Sequence, residues 1–329
     1  MRIAINGFGR IGRMVFRAAQ GRNDVEIVAI NDLTSVENLA YLLKYDTVHG
    51  VLASSVHADG EYLVVDGKRI RVYAEKDPEQ LPWAHERIDV VVESTGRFRT
   101  KELAEKHITA GAKKVLVSAP VKGGVKTIVK GVNEHDITTD DVVVSNASCT
   151  TNCFAPMVKV LHDNFGVEGG FMVTVHAVTA DQRGNDAPHS DMRRGRGAFQ
   201  NIVPTSSGAA SAVCKVIPEL NGKLSASALR VPVPDGSFTY FVGRLGKEVT
   251  AEEINHLFKN VAHHHLHGVL MYSEDQLVSS DILGNPHSCI FDASLTEVGG
   301  GLVKICGWYD NEVGYSHRMI DLLLLMHDK

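Results

Sequence analysis

The stretch Arg2–Gly12, RIAINGFGRIG, decides the fold. Arg2–Asn6 is short and apolar and reads as a buried strand, Gly7–Gly12 is a GxGxxG turn, and Arg13–Gln20 carries apolar residues at helical spacing. A second apolar run, Val25–Asn31, ends at Asp32, twenty residues beyond Gly12. Glycines so placed permit a tight turn and let the backbone approach a pyrophosphate seated on the helix N-terminus. An acid at that distance accepts hydrogen bonds from ribose hydroxyls and repels a 2′-phosphate, which favours NAD over NADP. Gly7, Gly9, Gly12 and Asp32 are therefore candidate cofactor residues.

Working outward, Asp59-Gly60 and Asp66-Gly67 separate short alternating runs, the signature of β-hairpins inserted into the α/β unit. Ile88–Glu93 resumes as a strand running into Ser94-Thr95-Gly96. A helix through Leu103–Ala110 and a strand at Lys114–Ser118 follow. Strand ends with small residues open the ligand crevice of a parallel sheet, so Ser94, Thr95 and Ser118 are further cofactor candidates. Thr127–Val132 and Val142–Val144 complete the sheet. From Glu168 the chain changes to longer strands with few helices: Gly170–Val178, Leu224–Val233, Ser237–Arg244, Val269–Tyr272, Ser288–Thr296 and Leu302–Tyr309. Helices are expected at Ser206–Ile217, Ala251–Val261 and Ser316–Met326.

This predicts an α/β protein. A Rossmann-type doubly wound, mostly parallel sheet over residues 1–148 is followed by an α+β catalytic domain over 149–311 with a mainly antiparallel sheet. The C-terminal helix, 312–329, is expected to pack back on the first domain.

At the junction lies Asp141–Phe165, DVVVSNASCTTNCFAPMVKVLHDNF. Strand, tight turn and helix put Cys149 at a helix entrance, where free amides and the positive dipole end favour a thiolate. Pro156 lies within that helix and lacks a backbone donor, so the helix either kinks near Asn152 or starts late. His176, on the next strand, completes a nucleophile–base pair if the two meet in space. Beyond it, Thr179–Ile202 is long and without periodicity and holds Arg183, Arg193, Arg194 and Arg196. A thiolate, a dinucleotide turn and loop arginines together suggest oxidation of a phosphorylated aldehyde.

Composition agrees with a soluble globular protein. The chain has 329 residues, 44% hydrophobic and 22% charged, with a formal net charge of -5. That balance gives no pull toward nucleic acid or anionic membrane. No apolar run approaches the roughly 18 residues a membrane span needs. Five cysteines without CxxC pairing suit a reducing, cytoplasmic setting. His263-His264-His265 reads as a solvated helix end, and no metal site is expected.

The chain resembles the phosphorylating glyceraldehyde-3-phosphate dehydrogenases from end to end. The match rests on INGFGRIGR (Ile5–Arg13), Asn31-Asp32, STGRF (Ser94–Phe98), SNASCTTN (Ser145–Asn152), TVHA around His176, LRVPVP (Leu229–Pro234) and WYDNE (Trp308–Glu312). The resemblance implies oxidation of glyceraldehyde 3-phosphate to an acyl phosphate, with Cys149 as nucleophile and His176 as its base. Thr179 and Arg230 are implied to bind the substrate phosphate. Ser148, Thr150, Ser207, Gly208 and Arg196 are implied to bind inorganic phosphate, Arg196 being preferred to Arg193 and Arg194 on its spacing from Thr179. For the NAD cofactor the implied contacts are Arg10 and Ile11 at the pyrophosphate, Asp32 at the ribose, Lys76 and Ser118 along its length, and Asn311 at the nicotinamide carboxamide. The Thr179–Ile202 segment matches a loop that packs across a homotetramer interface.

Some positions depart from the family pattern: Ser207 for threonine, Lys76 for arginine, Val313 for an aromatic, and Asp235-Gly236-Ser237 for an apolar continuation. Ala187 before Pro188 leaves room at the cofactor 2′ position, so weak NADP use is expected beside the NAD preference. The rival readings are an erythrose 4-phosphate dehydrogenase, and a non-catalytic binding paralogue, against which the full catalytic set speaks.

Overall fold

The computed structural model describes Met1–Lys329. The chain forms two compact units, one of Met1–Ile128, Glu134–Ala147 and Ser316–Lys329, the other of Val129–Asn133 and Ser148–Tyr315.

The first unit is built on a nine-stranded sheet. Arg2–Asn6 lies near its centre, paired in parallel with Glu26–Asn31 on one side and Val90–Glu93 on the other. Growth continues outward both ways. Lys68–Tyr73 extends one side, and Lys114–Val117, Val143–Ser145 and Lys126–Thr127 extend the other, all parallel. This winding places a topological switch point beside Arg2–Asn6, where open parallel sheets bind ligands. Antiparallel Tyr62–Val65 and Val56–Asp59 finish one edge as the expected hairpins. The central strands are unbroken apolar runs because both faces are covered: Ile3, Ala4, Ile5, Val90, Val91, Val92, Val115 and Leu116 are all buried. The final helix, Val313–Asp328, contributes Met319, Leu322, Leu323 and Met326 to buried positions. The Lys114 Nζ donates to its Met326 carbonyl at 2.7 Å.

The second unit carries a sheet ordered Val203–Ser206, Leu224–Arg230, Val167–His176, Ser237–Leu245, Leu302–Tyr309, Cys289–Asp292, Leu270–Ser273. Neighbours are antiparallel except for two parallel pairings, Val167–His176 with Leu224–Arg230 and Leu270–Ser273 with Cys289–Asp292. The helix Cys149–Phe165 packs on this sheet, with Phe154 and Phe241 rings 5.5 Å apart. Gly307 makes the approach possible: a Cβ there would stand 2.6 Å from the Met157 sulfur. The helix is continuous through Pro156, so Cys149 occupies a true first turn.

Four expected elements differ. Leu103–Ala110 is two short helical pieces, Lys101–Ala104 and Lys106–Thr109, with Glu105 between them. Thr127–Val132 is strand only at Lys126–Thr127, since Gly131 at φ 82° and the Asn133 side chain, accepting from the Val129 amide at 2.9 Å, turn the chain. Ser206–Ile217 splits into the strand Val203–Ser206 and the helix Ala209–Val216, because Pro204 and Thr205 pair with Leu229 and Ala228. Ser288–Thr296 stops at Asp292, whose carboxylate accepts from the Ser294 amide and hydroxyl and caps a short 3-10 turn. The histidine run 263–265 is exposed at a helix end. No helix is long and apolar enough to cross a membrane.

Candidate active site

In the first unit the dinucleotide turn is set by contact. Gly7 adopts φ 90°, and a Cβ there would lie 2.7 Å from the Thr95 amide nitrogen. Ser94 Oγ donates to the Gly7 carbonyl at 2.6 Å, so the two loops form one wall. Glu93 braces that wall from beneath. Its buried carboxylate accepts from the Thr95 amide at 2.8 Å, from Asn6 Nδ2 at 2.5 Å and, at 3.1 Å, faces His107 Nε2. The Trp83 indole donates to His107 Nδ1, which leaves the imidazole proton on Nε2 toward Glu93.

The helix Arg10–Ala19 starts at Gly9 with no side-chain cap, and a Cβ on Gly9 would meet nothing within 4 Å. Uncapped amides under open space fit a dinucleotide pyrophosphate. Asp32 ends its strand with one carboxylate oxygen accepting from the Phe8 amide at 2.7 Å and the other from the Thr34 amide at 3.2 Å. The Arg10 guanidinium pairs with the Asp46 carboxylate. Ser118 is half-buried at its strand end and donates its amide to the Glu93 carbonyl, while Lys76 is exposed.

In the second unit Ser148 caps the helix, its Oγ accepting from the Thr151 amide at 3.1 Å. Cys149 follows, half-buried, with Sγ 3.4 Å from His176 Nε2. His176 ends its strand, and its Nδ1 lies 2.8 Å from the Ala177 carbonyl and 2.8 Å from Arg230 Nη1. Arg230 also reaches the Thr179 hydroxyl at 3.4 Å. Burial pushes the Cys149 thiol up to about 11, against the pull of Arg230 and of the Thr150 amide and hydroxyl. Burial, then the Arg230 charge, pushes His176 down to about 3. Cys153, a helical turn inward, is fully buried and pushed further up by burial and by Cys289 beside it, so it is held as a thiol.

The loop arginines separate clearly. Arg194 is half-buried, donating to Asp181 at 2.7 Å, to the Thr205 hydroxyl at 3.0 Å and to the Ser206 carbonyl at 3.3 Å. Its charge acts on His176 and Arg230. Arg196, preferred on spacing, is instead 64% exposed and pairs with the equally exposed Asp186. The loop packs Arg194 inward, onto the carbonyl of Ser206, the residue before Ser207 and Gly208, and Arg196 outward. Gly208 opens the helix Ala209–Val216 without a side-chain cap.

Two further residues belong to this cluster. The Tyr309 hydroxyl bridges Thr150 Oγ1 at 2.9 Å and Thr174 Oγ1 at 2.7 Å, and its ring meets His176 edge-on at 5.9 Å. The Thr150 hydroxyl is thus engaged inward. Ser237 Oγ donates to Asn311 Oδ1 at 2.6 Å. Tyr309 and Asn311 both fall in the WYDNE run, but a sequence does not say that a strand-end tyrosine turns back under a distant helix.

A parallel-sheet nucleotide unit and a mixed-sheet unit with a cysteine–histidine pair at a capped helix define an NAD-dependent oxidoreductase. Comparison with known proteins narrows the class. Residues 1–101 match the family model described as glyceraldehyde 3-phosphate dehydrogenase, NAD binding domain, and residues 148–311 match its C-terminal domain. Over 331 residues the chain is 54% identical to a glyceraldehyde-3-phosphate dehydrogenase of Geobacillus stearothermophilus, covering 100% of this chain and 99% of the relative. It is likewise 54% identical to glyceraldehyde-3-phosphate dehydrogenase 1 of Bacillus subtilis, over 98% of this chain and 97% of that one. The same identity holds for a glyceraldehyde-3-phosphate dehydrogenase of Streptomyces coelicolor, over 99% and 98%. The chain belongs to the glyceraldehyde 3-phosphate dehydrogenase family, and its cofactor is NAD.

Proposed function

We propose that this protein oxidises D-glyceraldehyde 3-phosphate, with inorganic phosphate, to 1,3-bisphosphoglycerate. The observation that carries the reading is Cys149 Sγ 3.4 Å from His176 Nε2 at the entrance of a capped helix. Cys149 Sγ attacks the aldehyde carbon while its proton passes to His176 Nε2, giving a thiohemiacetal. The protonated imidazole and the Cys149 backbone N–H then stabilise the hemiacetal oxygen. Bound NAD would supply the hydride acceptor for this carbon, and loss of the hydride would leave a thioester on Cys149. Inorganic phosphate attacks the thioester carbonyl, the carbon–sulfur bond breaks, and the acyl phosphate departs.

Arg230 and Thr179 hold the substrate phosphate, supported by their 3.4 Å contact beside His176. Ser148, Thr150, Ser207 and Gly208 offer helix-entrance groups to the inorganic phosphate, and Arg194 takes the place first given to Arg196. Gly7, Gly9, Arg10, Ile11 and Gly12 hold the pyrophosphate, Asp32 the adenosine ribose, Lys76 and Ser118 the length of NAD, and Asn311 the carboxamide. The working form is a cytoplasmic homotetramer, a reading supported by Phe171, Met192, Phe199 and Ile202, each more than half exposed as a single chain.

The test is NADH formation from glyceraldehyde 3-phosphate by the parent, Cys149→Ser and His176→Asn, with and without phosphate. Parental rates in both variants would overturn the mechanism. Faster turnover of erythrose 4-phosphate, independent of phosphate, would move the substrate assignment to that aldehyde.

A further inference from the structure

Ser237 is fully buried at the start of the strand Ser237–Leu245, directly across from Tyr309. Its hydroxyl does two things. It donates to Asn311 Oδ1 at 2.6 Å, and it accepts from the Ala177 amide at 3.1 Å. A hydroxyl has a single proton, so with that proton committed to Asn311 the remaining role toward Ala177 is acceptor.

Each contact has a consequence. An asparagine side chain presents an oxygen on one side and an NH₂ on the other, and a rotation by half a turn exchanges them. With Oδ1 held by Ser237, Asn311 can offer only Nδ2, a donor, to a ligand. That is the polarity that a carboxamide oxygen requires. On the other side, Ala177 is the residue whose carbonyl faces His176 Nδ1 at 2.8 Å, while Nε2 of the same ring faces Cys149. Fixing the Ala177 amide holds the His176–Ala177 peptide, the unit that joins His176 to the residue whose carbonyl Nδ1 faces.

We propose that Ser237 is a positioning residue of the dehydrogenase reaction, one hydroxyl that sets the polarity Asn311 shows to the nicotinamide carboxamide and pins the His176–Ala177 peptide from which the imidazole projects. The inference rests on Asn311 being the carboxamide contact. It places the control of both groups in Ser237, within the tripeptide Asp235-Gly236-Ser237 that departs from the family pattern.

The test is a double-mutant cycle on NAD binding, measured by calorimetry on the full-length protein without substrate. Ser237→Ala removes one oxygen from a buried site, and its melting curve shows whether it is folded. It is expected to weaken NAD about fivefold to tenfold, the worth of one oriented hydrogen bond. On an Asn311→Ala background the same change is expected to weaken NAD less than twofold, since no amide remains to orient. In steady-state assays Ser237→Ala is expected to raise the KM for NAD and lower kcat, with the KM for the aldehyde unchanged. Equal weakening in both backgrounds, or none in the parent, overturns the role of Ser237. If Asn311→Ala alone leaves NAD binding intact, the carboxamide assignment fails and the inference falls with it, whatever Ser237→Ala does.

Discussion

Exchanging Arg194 and Arg196 in turn for glutamine separates spacing from packing as guides to the phosphate site. Arg194 is held at 2.7 Å by Asp181 and at 3.0 Å by the Thr205 hydroxyl, with only 21% of its side chain exposed, and its charge reaches His176 and Arg230. A guanidinium fixed and partly desolvated in this way makes charge-assisted hydrogen bonds worth about 1.5–3 kcal/mol. At 1.4 kcal/mol per decade this is roughly a 10- to 150-fold rise in the KM for inorganic phosphate. Arg196 and Asp186 are both 64% exposed, and such a pair is worth about 0–1 kcal/mol, at most roughly fivefold. The assay is initial-rate NADH formation with saturating NAD and aldehyde against a phosphate titration, with melting temperature as a check on the loop. If Arg196→Gln raised the phosphate KM more than tenfold while Arg194→Gln moved it less than threefold, packing would be the wrong guide.

Three other outcomes follow from the geometry. Burial pushes the Asp46 carboxyl up, but the His49 amide and the Arg10 pair outweigh it and bring it down to about 2. A depressed carboxyl stabilises the fold above its unfolded value near 3.8 and loses that contribution as pH falls toward 2. Asp46→Asn is therefore expected to cost about 2 kcal/mol in denaturant melts at pH 7 and nearly nothing at pH 2, and an equal cost at both would refute the assignment. His176 is buried neutral and pushed down to about 3, so folding resists its protonation once pH drops below about 6.5. Between pH 7 and pH 5 the parent should lose about 2 kcal/mol of stability relative to inactive His176→Asn; a constant difference would mean that folding leaves the proton affinity of the imidazole unchanged, and a relative gain that it is charged at rest. Asp32→Asn keeps an acceptor for the Phe8 amide but removes the charge, and the NAD-over-NADP ratio of kcat/KM should fall about tenfold to a hundredfold. Equal efficiency of the parent with both cofactors would remove the NAD preference itself.

Local pattern carried the first unit's architecture far. Arg2–Gly12 names a strand, a turn and a helix because strand burial, glycine placement and helical spacing each leave a mark on consecutive residues. Cys149 and His176 were also legible as a pair, since both stand at element ends within 27 residues. Elements decided by a distant partner were harder to read. Val203–Ser206 is a strand because Leu224–Arg230 lies beside it, and nothing in its four residues outweighs the helical spacing that follows. Which loop arginine turns inward depends on Asp181 and Thr205, thirteen and eleven residues from Arg194. Ser237 sits 74 residues from Asn311, and no spacing rule connects a buried hydroxyl to an amide at that separation.

In the proposed mechanism the Cys149–His176 pair reacts for a reason different from the one its helix entrance suggests. Taken singly, a thiol at about 11 and an imidazole at about 3 make proton transfer from Sγ to Nε2 unfavourable by about 11 kcal/mol. The transfer creates both charges together 3.4 Å apart, and at an effective dielectric constant of 20 their attraction returns about 5 kcal/mol. A partly buried helix N-terminus contributes up to about 2 kcal/mol more to the thiolate. What remains, about 4 kcal/mol, keeps the resting pair neutral yet lies well below the roughly 16 kcal/mol barrier of a turnover near 10 per second. Burial that opposes each charge alone therefore does not oppose the reaction. As the carbon–sulfur bond forms, the negative charge moves from sulfur to the hemiacetal oxygen while the proton is already on Nε2. The desolvation that pushed both groups toward neutrality then strengthens the attraction between imidazolium and oxyanion, so the same buried surroundings that quiet the free thiol favour the adduct.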